Sequence, residues 1–453
     1  MIARALSSVA DAIGGRLRGD DVLASSVVTD SRQAGPGALF FALGGEHADG
    51  HAFVGDALAR GAVAAVVERP PEDGRVIEVA NAGRALLDLA ADERRRMDGV
   101  TVVGITGANG KTSTKDLAAA VLGTRFRTHA SPASFNNEIG LPVTILGAGA
   151  DVEVVVAELG ARREGDVATL FQVALPEIVV VTNIGVAHMA LFGSWEAIVR
   201  AGAEPLVALG PDGVAILNAD DPIVHGYAGR TRARVVTFGV ETEADVRGSD
   251  LALGDDGRAG FTLEAGGERE RVELAVPGEH MVPNALAAVA CGLQLGLSAA
   301  ECATALKGAR ISPWRMETFT TLGGFVVLND AYNANPESMA AGLKAARWVA
   351  RHGRLAAVLG HMAELGPISF EEHERLGELV VRIGVERLVT VGAPARAIAR
   401  AAIREGQLPE DVESYDDPLQ AAADVLAWAR AGDVVLLKGS RVAGLERVAE
   451  ALR

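Results

Sequence analysis

Two hydrophobic patterns alternate along the chain. Runs that are apolar at nearly every position, TVVGIT (101–106), EVVVAEL (153–159), EIVVVT (177–182), GVAILN (213–218) and RVVTFG (234–239), are separated by helical or loop segments. Strands without polar alternation suit a parallel sheet covered on both faces. A second series begins beyond Pro313. It predicts strands over 325–329, 355–359, 387–391 and 433–437 and helices over 337–350, 371–382, 394–404 and 417–430, the alternation of a doubly wound domain. Before residue 100, GALFFAL (37–43) and AVAAVVE (62–68) mark shorter strands among short helices, and the charged run from Asp92 to Arg96 reads as a solvated helix end before a linker. Between 246 and 276, glycines at 254, 257, 266 and 267 break the pattern into hairpin-like pieces, predicting a small antiparallel appendage on the central sheet, and a helix follows over 281–295. The predicted architecture is α/β in three domains. Residues 1–99 form a smaller N-terminal α/β domain, 100–312 a central P-loop-type parallel-sheet domain and 313–453 a Rossmann-like domain. A ligand cleft is expected between the last two, closing on its substrates.

Composition narrows the partners. At 453 residues the chain is too long for one ordinary core. A formal net charge of −16 argues against nucleic acid or an anionic membrane surface, so an anionic substrate must be met by local positive sites. Cys291 and Cys302 lack metal-ligand spacing and read as small core residues of a reducing compartment. The opening MIARALSSVADAIGGRL has Ser7, Ser8 and Asp11 within its apolar stretch, so an amphipathic helix is expected rather than a signal peptide. With no unbroken run of eighteen apolar residues, a soluble, cytoplasmic protein without membrane insertion is expected.

The chemistry is concentrated in VTVVGITGANGKTSTKD (100–116), where an apolar strand enters a glycine-rich turn and a helix opens at Lys111-Thr112. Small residues at Gly107 and Gly110 let backbone N–H groups approach phosphate oxygens, the helix directs its positive end at them, and Lys111 adds a point charge. Thr112 sets a hydroxyl where Mg²⁺ would sit. Ile105 stands at the place of the first glycine of the common G-x-x-x-x-G-K-[ST] form, which indicates a variant loop class. Only five lysines occur, at 111, 115, 307, 344 and 438, in a chain that otherwise writes arginine. A compact charge is therefore wanted in this turn rather than a planar fork.

Other candidates fall at strand ends. Glu158 closes one strand and can face a phosphate-bound metal, although an ordinary loop acid has the same position; His188 follows the next strand, where a hydrogen-bonded loop histidine is the plainer alternative. Lys111, Thr112, Glu158 and His188 share one predicted sheet edge. Asn136 and Asn137 offer either substrate contact or a capped loop. Asp330, Tyr332, Asn333 and Asn335 lie between a strand and the helix opened by Pro336, and Lys438 with Arg441 ends the last strand as a second anion contact or a surface charge pair.

Taken together, these stretches resemble the Mur ligases of peptidoglycan synthesis, and among them the type that joins D-alanyl-D-alanine to UDP-N-acetylmuramoyl-tripeptide. The resemblance spans essentially the whole chain: TDSR (29–32), PGALFFAL, DGHAFV (49–54), GITGANGKTSTK, SFNNEIGLP, VAELG, TNIGVAH, GEHMVPNALAA, PWRMETF, LNDAYNANPESM, VLGHMAELG and LLKGSR. It implies amide formation through an acyl phosphate, with ATP and Mg²⁺ as cofactors and the two small molecules as substrates. It implies that Gly107, Asn109, Gly110, Lys111, Thr112, Ser113, Asn284, Arg315 and Asp330 hold the nucleotide, and that Thr112 and Glu158 hold Mg²⁺ while His188 supports a second metal. Lys111, Glu158 and His188 are then the catalytic set. Ser31 and Arg32 are expected near the UDP end, with Asn136, Asn137, Asn333, Asn335, Lys438 and Arg441 toward the substrates. A monomer is expected.

Three positions depart from the family pattern. Gly202 stands where a carbamylated lysine is usual, Met281 where an asparagine follows the histidine, and His361 where an aspartate is usual. Two further readings stay open on these residues: a related ligase of another pathway, or a binding protein that has kept the fold and lost turnover.

Overall fold

The computed structural model describes residues 1–45 and 48–453. Its largest sheet runs in the order 268–277, 258–265, 246–253, 234–239, 214–218, 178–181, 101–106, 154–158, 128–130. Every pairing from 128–130 through to 246–253 is parallel, and the last two strands turn back antiparallel. The hairpin region therefore extends the central sheet, pairing with it at Phe238 to Val246 and Gly239 to Arg247 and sharing its apolar core through Phe261, Leu263 and Val272. Strand Thr101–Thr106 lies between Val154–Glu158 and Ile178–Val181, while the chain steps from it first to one side and then to the other. Such a switch point opens a crevice at the carboxyl ends of the strands. Thr106, Glu158 and Thr182 all sit at that edge.

The C-terminal sheet runs 317–320, 326–330, 434–438, 355–360, 387–391, 412–415, parallel except for its first pair. Helices Pro336–Val349, Ser369–Ile383, Arg396–Glu405 and Pro418–Trp428 connect its strands. The N-terminal sheet runs 16–18, 76–78, 64–67, 38–41, 26–28, and a short ribbon pairs Arg4–Ala5 with Leu23–Ala24. The chain is thus a three-domain α/β protein with a parallel, P-loop-type central sheet and a Rossmann-like C-terminal sheet.

Two expectations about the N-terminal part need correction. The opening helix spans only Leu6–Ala12, because Gly14 at φ 61° ends it and Arg16–Arg18 joins the sheet against 76–78. The charged run after Asp92 is not simply solvated: Glu93 and Arg94 are buried, and Arg94 donates to the carbonyl oxygens of Ala174 (2.8 Å) and Leu175 (3.1 Å) in the central part. Leu86 and Leu89 of helix Ala82–Arg95 share one apolar cluster with Leu141, Ile145, Val167 and Leu170. The N-terminal and central parts therefore pack through a common core. Among the described residues no helix is long and apolar enough to cross a membrane.

Candidate active site

Strand Thr101–Thr106 delivers the chain into a turn whose two glycines have positive φ, 130° at Gly107 and 79° at Gly110. Packing demands them as much as conformation does. A Cβ at 107 would lie 2.1 Å from Thr182 Oγ1, and one at 110 would lie 2.2 Å from Asn284 Oδ1. The neighbouring strand end then clamps the turn: Ala108 N–H donates to the Asn183 carbonyl (2.9 Å), Asn109 N–H to Asn183 Oδ1 (2.8 Å), and Thr182 Oγ1 to the Asn109 carbonyl (2.7 Å). Helix Lys111–Leu122 starts without a side-chain cap, so its positive end faces the cleft. Lys111 Nζ donates to the carbonyls of Gly107 (2.7 Å) and Ala108 (3.1 Å), which folds the side chain over the turn. Burial lowers its pKa, Glu158 acts against that, and Arg315 adds to it.

Glu158 is buried at the end of its strand. Its carboxylate accepts from Thr112 Oγ1 (2.9 Å) and Asn136 Nδ2 (2.7 Å). Ser134 Oγ lies 2.9 Å from Thr112 Oγ1, and Arg315 Nη2 donates to Thr112 Oγ1 (3.1 Å) and Ser134 Oγ (3.3 Å). Buried Lys115 holds this loop by donating to the carbonyls of Ser131 (2.7 Å) and Ala133 (3.0 Å), the latter at φ 46°. Arg315 arrives from the segment joining the central and C-terminal sheets, flanked by Trp314 and Met316 at φ 60° and 51°, and its guanidinium stacks 4.2 Å from the Tyr332 ring centroid.

The opposite wall belongs to the C-terminal sheet. Asp330 ends its strand and pairs with Lys438, which also donates to the Asn333 carbonyl (3.2 Å). Burial alone would raise the Asp330 pKa, but the Lys438 ammonium outweighs it and holds the carboxyl below the usual range. Asn335 caps helix Pro336–Val349 through Oδ1 and reaches across with Nδ2 to Asn109 Oδ1 at 2.7 Å. His188, at φ 60°, meets Glu364 of the C-terminal part through Nδ1. Burial draws the His188 pKa below the ordinary imidazole value, against the pull of that carboxylate.

These walls enclose a cleft of about 1310 Å³. Asn109, Gly110, Lys111, Thr112, Ser113, Asn136, Asn137, Glu158, His188 and Asn284 line it from the central side, and Arg315, Asp330, Asn333, Asn335, Lys438 and Arg441 from the other. Gly107, the first residue of the turn, is not part of the lining. Ser31 and Arg32 are in the N-terminal part, away from the cleft lining; Ser31 is buried and the exposed Arg32 pairs with Asp30 at 2.6 Å.

Several of these side chains are engaged within the protein itself, Asn137 in the capping role that was one of its two readings. Lys438 is neither a free anion contact nor a surface pair, because its ammonium is buried against Asp330. Asn137 serves as a cap, Oδ1 accepting from Ile139 N–H (3.2 Å) and Gly140 N–H (2.8 Å), and Asn136 holds Glu158. Arg441 stacks 4.3 Å from the Trp314 ring and pairs with Glu446 at 3.0 Å. At Gly202 a Cβ would meet Ile184 Cδ1 at 2.4 Å and the Tyr227 hydroxyl at 2.8 Å. That space is filled by Tyr227, whose hydroxyl donates to the Val199 carbonyl at 2.6 Å.

Ser134, Thr182, Asn183, Lys115 and Glu364 were not among the candidates. All five lie in stretches that resemble the family, GITGANGKTSTK, SFNNEIGLP, TNIGVAH and VLGHMAELG, and Lys115 stands out besides through the rarity of lysine.

The donor set around Glu158, a carboxylate with the hydroxyls of Thr112 and Ser134, consists of hard oxygens suited to Mg²⁺. No group of three or more His, Cys, Asp or Glu side chains able to hold an ion occurs among the described residues. Mg²⁺ characteristically completes such a sparse site with phosphates and water.

Comparison with known proteins bears on most of the chain. The Mur ligase middle domain matches residues 105–292, the Mur ligase glutamate ligase domain 314–441, and the Mur ligase family catalytic domain 24–96. A UDP-N-acetylmuramoyl-tripeptide--D-alanyl-D-alanine ligase of Mycobacterium leprae (strain TN) is 39% identical, covering 100% of this chain and 98% of the relative. One of Bacillus subtilis (strain 168) is 34% identical over 100% and 99%. A crystal structure of MurF from Acinetobacter baumannii superposes with a TM-score of 0.88 at 29% identity, covering 100% and 99%. MurF ligase from Thermotoga maritima in complex with ADP gives 0.81 at 29% identity, covering 94% and 96%. With three family domains matched in order and full-length relatives above 30% identity, the chain belongs to the Mur ligase family.

Proposed function

We propose that the protein is an ATP-dependent ligase of peptidoglycan synthesis that joins D-alanyl-D-alanine to UDP-N-acetylmuramoyl-tripeptide through an acyl phosphate. One observation carries the reading: a phosphate-type turn with Lys111, Thr112 and Glu158 faces Asp330, Asn333 and Asn335 across a single cleft. The full-length relatives bearing that name support the choice of substrates.

Each group then has a task. Lys111 and Arg315 neutralise phosphate charge, and the helix opened at Lys111 orients the phosphates. Thr112 and Glu158 would hold Mg²⁺, which when bound would spread the charge of the terminal phosphate. Asn284 and Asp330 are placed for nucleotide contact. Asn136 and Asn137 shape the acyl side of the cleft, Asn333, Asn335 and Arg441 the C-terminal side, and Lys438 fixes Asp330. Ser31 and Arg32 belong to the UDP end. Closing the cleft aligns carboxylate, phosphate and amine and keeps water from a hydrolysable acyl phosphate. We assign these roles to domains bounded at 99/100 and 312/313, and expect a cytoplasmic monomer, since one chain supplies both walls.

The test is a product assay by mass, with UDP-muramoyl peptides and dipeptides offered in competition. The reading requires phosphate release that depends on both substrates together. Preference for a different acid or amine would favour a ligase of another pathway, and nucleotide binding without any product would favour the binding protein that the closed space at Gly202 allows.

A further inference from the structure

Two non-glycine residues in the left-handed region meet across the cleft. His188 (φ 60°) caps the short helix Met189–Phe192 of the central part, and Glu364 (φ 62°) lies in the loop after strand Leu355–Gly360. Side chains rarely adopt this conformation unless the surroundings impose it. Three hydrogen bonds impose it on the Glu364 loop. Ser440 N–H donates to the His361 carbonyl (3.0 Å), Met362 N–H to His373 Nε2 (2.9 Å), and Ala363 N–H to Ser440 Oγ (2.8 Å). His373 is itself buried and fixed by a 2.6 Å bond from Nδ1 to the Ser369 carbonyl. From this frame the Glu364 carboxylate takes His188 Nδ1–H, while its carbonyl accepts from Ala190 N–H at 3.0 Å.

A ring that is to accept or ligate through Nε2 must carry its proton on Nδ1, and Nδ1 is the nitrogen that faces the Glu364 carboxylate. We propose that Glu364 is a positioning residue: it fixes the Nδ1–H tautomer and ring orientation of His188, leaving Nε2 as the ring's acceptor in the cleft. Because Glu364 comes from the C-terminal domain, the histidine is set only when that domain is docked. Domain closure and assembly of the central site thereby become one event. The inference rests on the ligase reading for its kinetic consequence but not for its spectroscopic one.

The experiment uses full-length protein labelled with ¹⁵N-histidine, with His188→Gln identifying one signal among nine histidines. In the wild type His188 shows the Nδ1–H pattern, and in Glu364→Ala it moves toward Nε2–H, the form free imidazole prefers. Glu364→Gln, which keeps an acceptor oxygen, retains the wild-type tautomer. Kinetically, Glu364→Ala lowers kcat by roughly tenfold to a hundredfold, as loss of carboxylates behind functional histidines does, while KM for ATP stays within about threefold. An unchanged His188 tautomer in Glu364→Ala overturns the proposal, as does an unchanged kcat. If the wild type forms no amide, the ligase reading fails and the tautomer result still decides this one.

Discussion

Gly202 shows how one absent side chain sets local chemistry. Its space is filled by Ile184 and by Tyr227, whose phenol burial pushes up to about 12. Gly202→Ala must displace both neighbours and should cost about 1–3 kcal/mol, read as a lower urea midpoint at unchanged slope. With no lysine there to carbamylate, coupling rates should be equal in bicarbonate-depleted and bicarbonate-supplemented buffer; stimulation would contradict this. The thiols of Cys291 and Cys302 are buried and raised to about 12, so neither should react with a thiol reagent at pH 8 until the protein unfolds. Lys111→Ala should lower ATP turnover on the order of a hundredfold or more, and near-normal phosphate release would contradict its role. Lys111 and Thr112 stood out because a glycine-rich turn leads from an apolar strand into the helix they open, and Glu158 because it shares that sheet edge. Ser134, Asn183 and Glu364 did not. All three fall inside stretches that resemble the family, but what each one does depends on partners 22, 74 and 176 residues away.

Strands with two covered faces announced themselves, and so did the helices between them, because burial on both sides leaves no room for polar alternation. Strands Thr128–Ala130, Glu317–Thr320 and Val412–Tyr415 escaped notice for the same reason: they are short edge strands that are only partly buried. At the element scale the pair Asp330–Lys438 ties two neighbouring strands of the C-terminal sheet at their carboxyl ends. Asp330→Asn leaves a buried ammonium without its counter-charge and should destabilise by about 3–5 kcal/mol. The pH dependence follows from the sign. The folded carboxyl titrates below its unfolded value of about 3.9, so its contribution is complete above that value and is lost as pH falls through the lower, folded one. Thermal melts should show the wild type losing stability below about pH 4, and the Asn variant losing less over that range.

Across the whole molecule the attachments are unequal. The N-terminal and central parts share an extended apolar cluster, whereas the C-terminal part meets the centre through Val186 on its apolar cluster and through polar contacts: Arg315 with Thr112 and Ser134, Asn109 with Asn335, His188 with Glu364, and Trp348 Nε1 to the Gly254 carbonyl (2.9 Å) beside Arg351 with Asp255. Interfaces of that composition open readily. Replacing Trp348 and Arg351 together by Ala should raise the radius of gyration in small-angle scattering without lowering the melting temperature of the central core. An unchanged scattering profile would show that the hairpin contact does not hold the two parts together. The Asn109–Asn335 bond has one more consequence. It ties the two walls of the cleft together, so any opening of those walls that frees a bound nucleotide must break it and any closing must re-form it. Such a swing is resisted by solvent friction, and adding sucrose or glycerol should slow steady-state turnover while leaving the yield of a single enzyme-bound round intact.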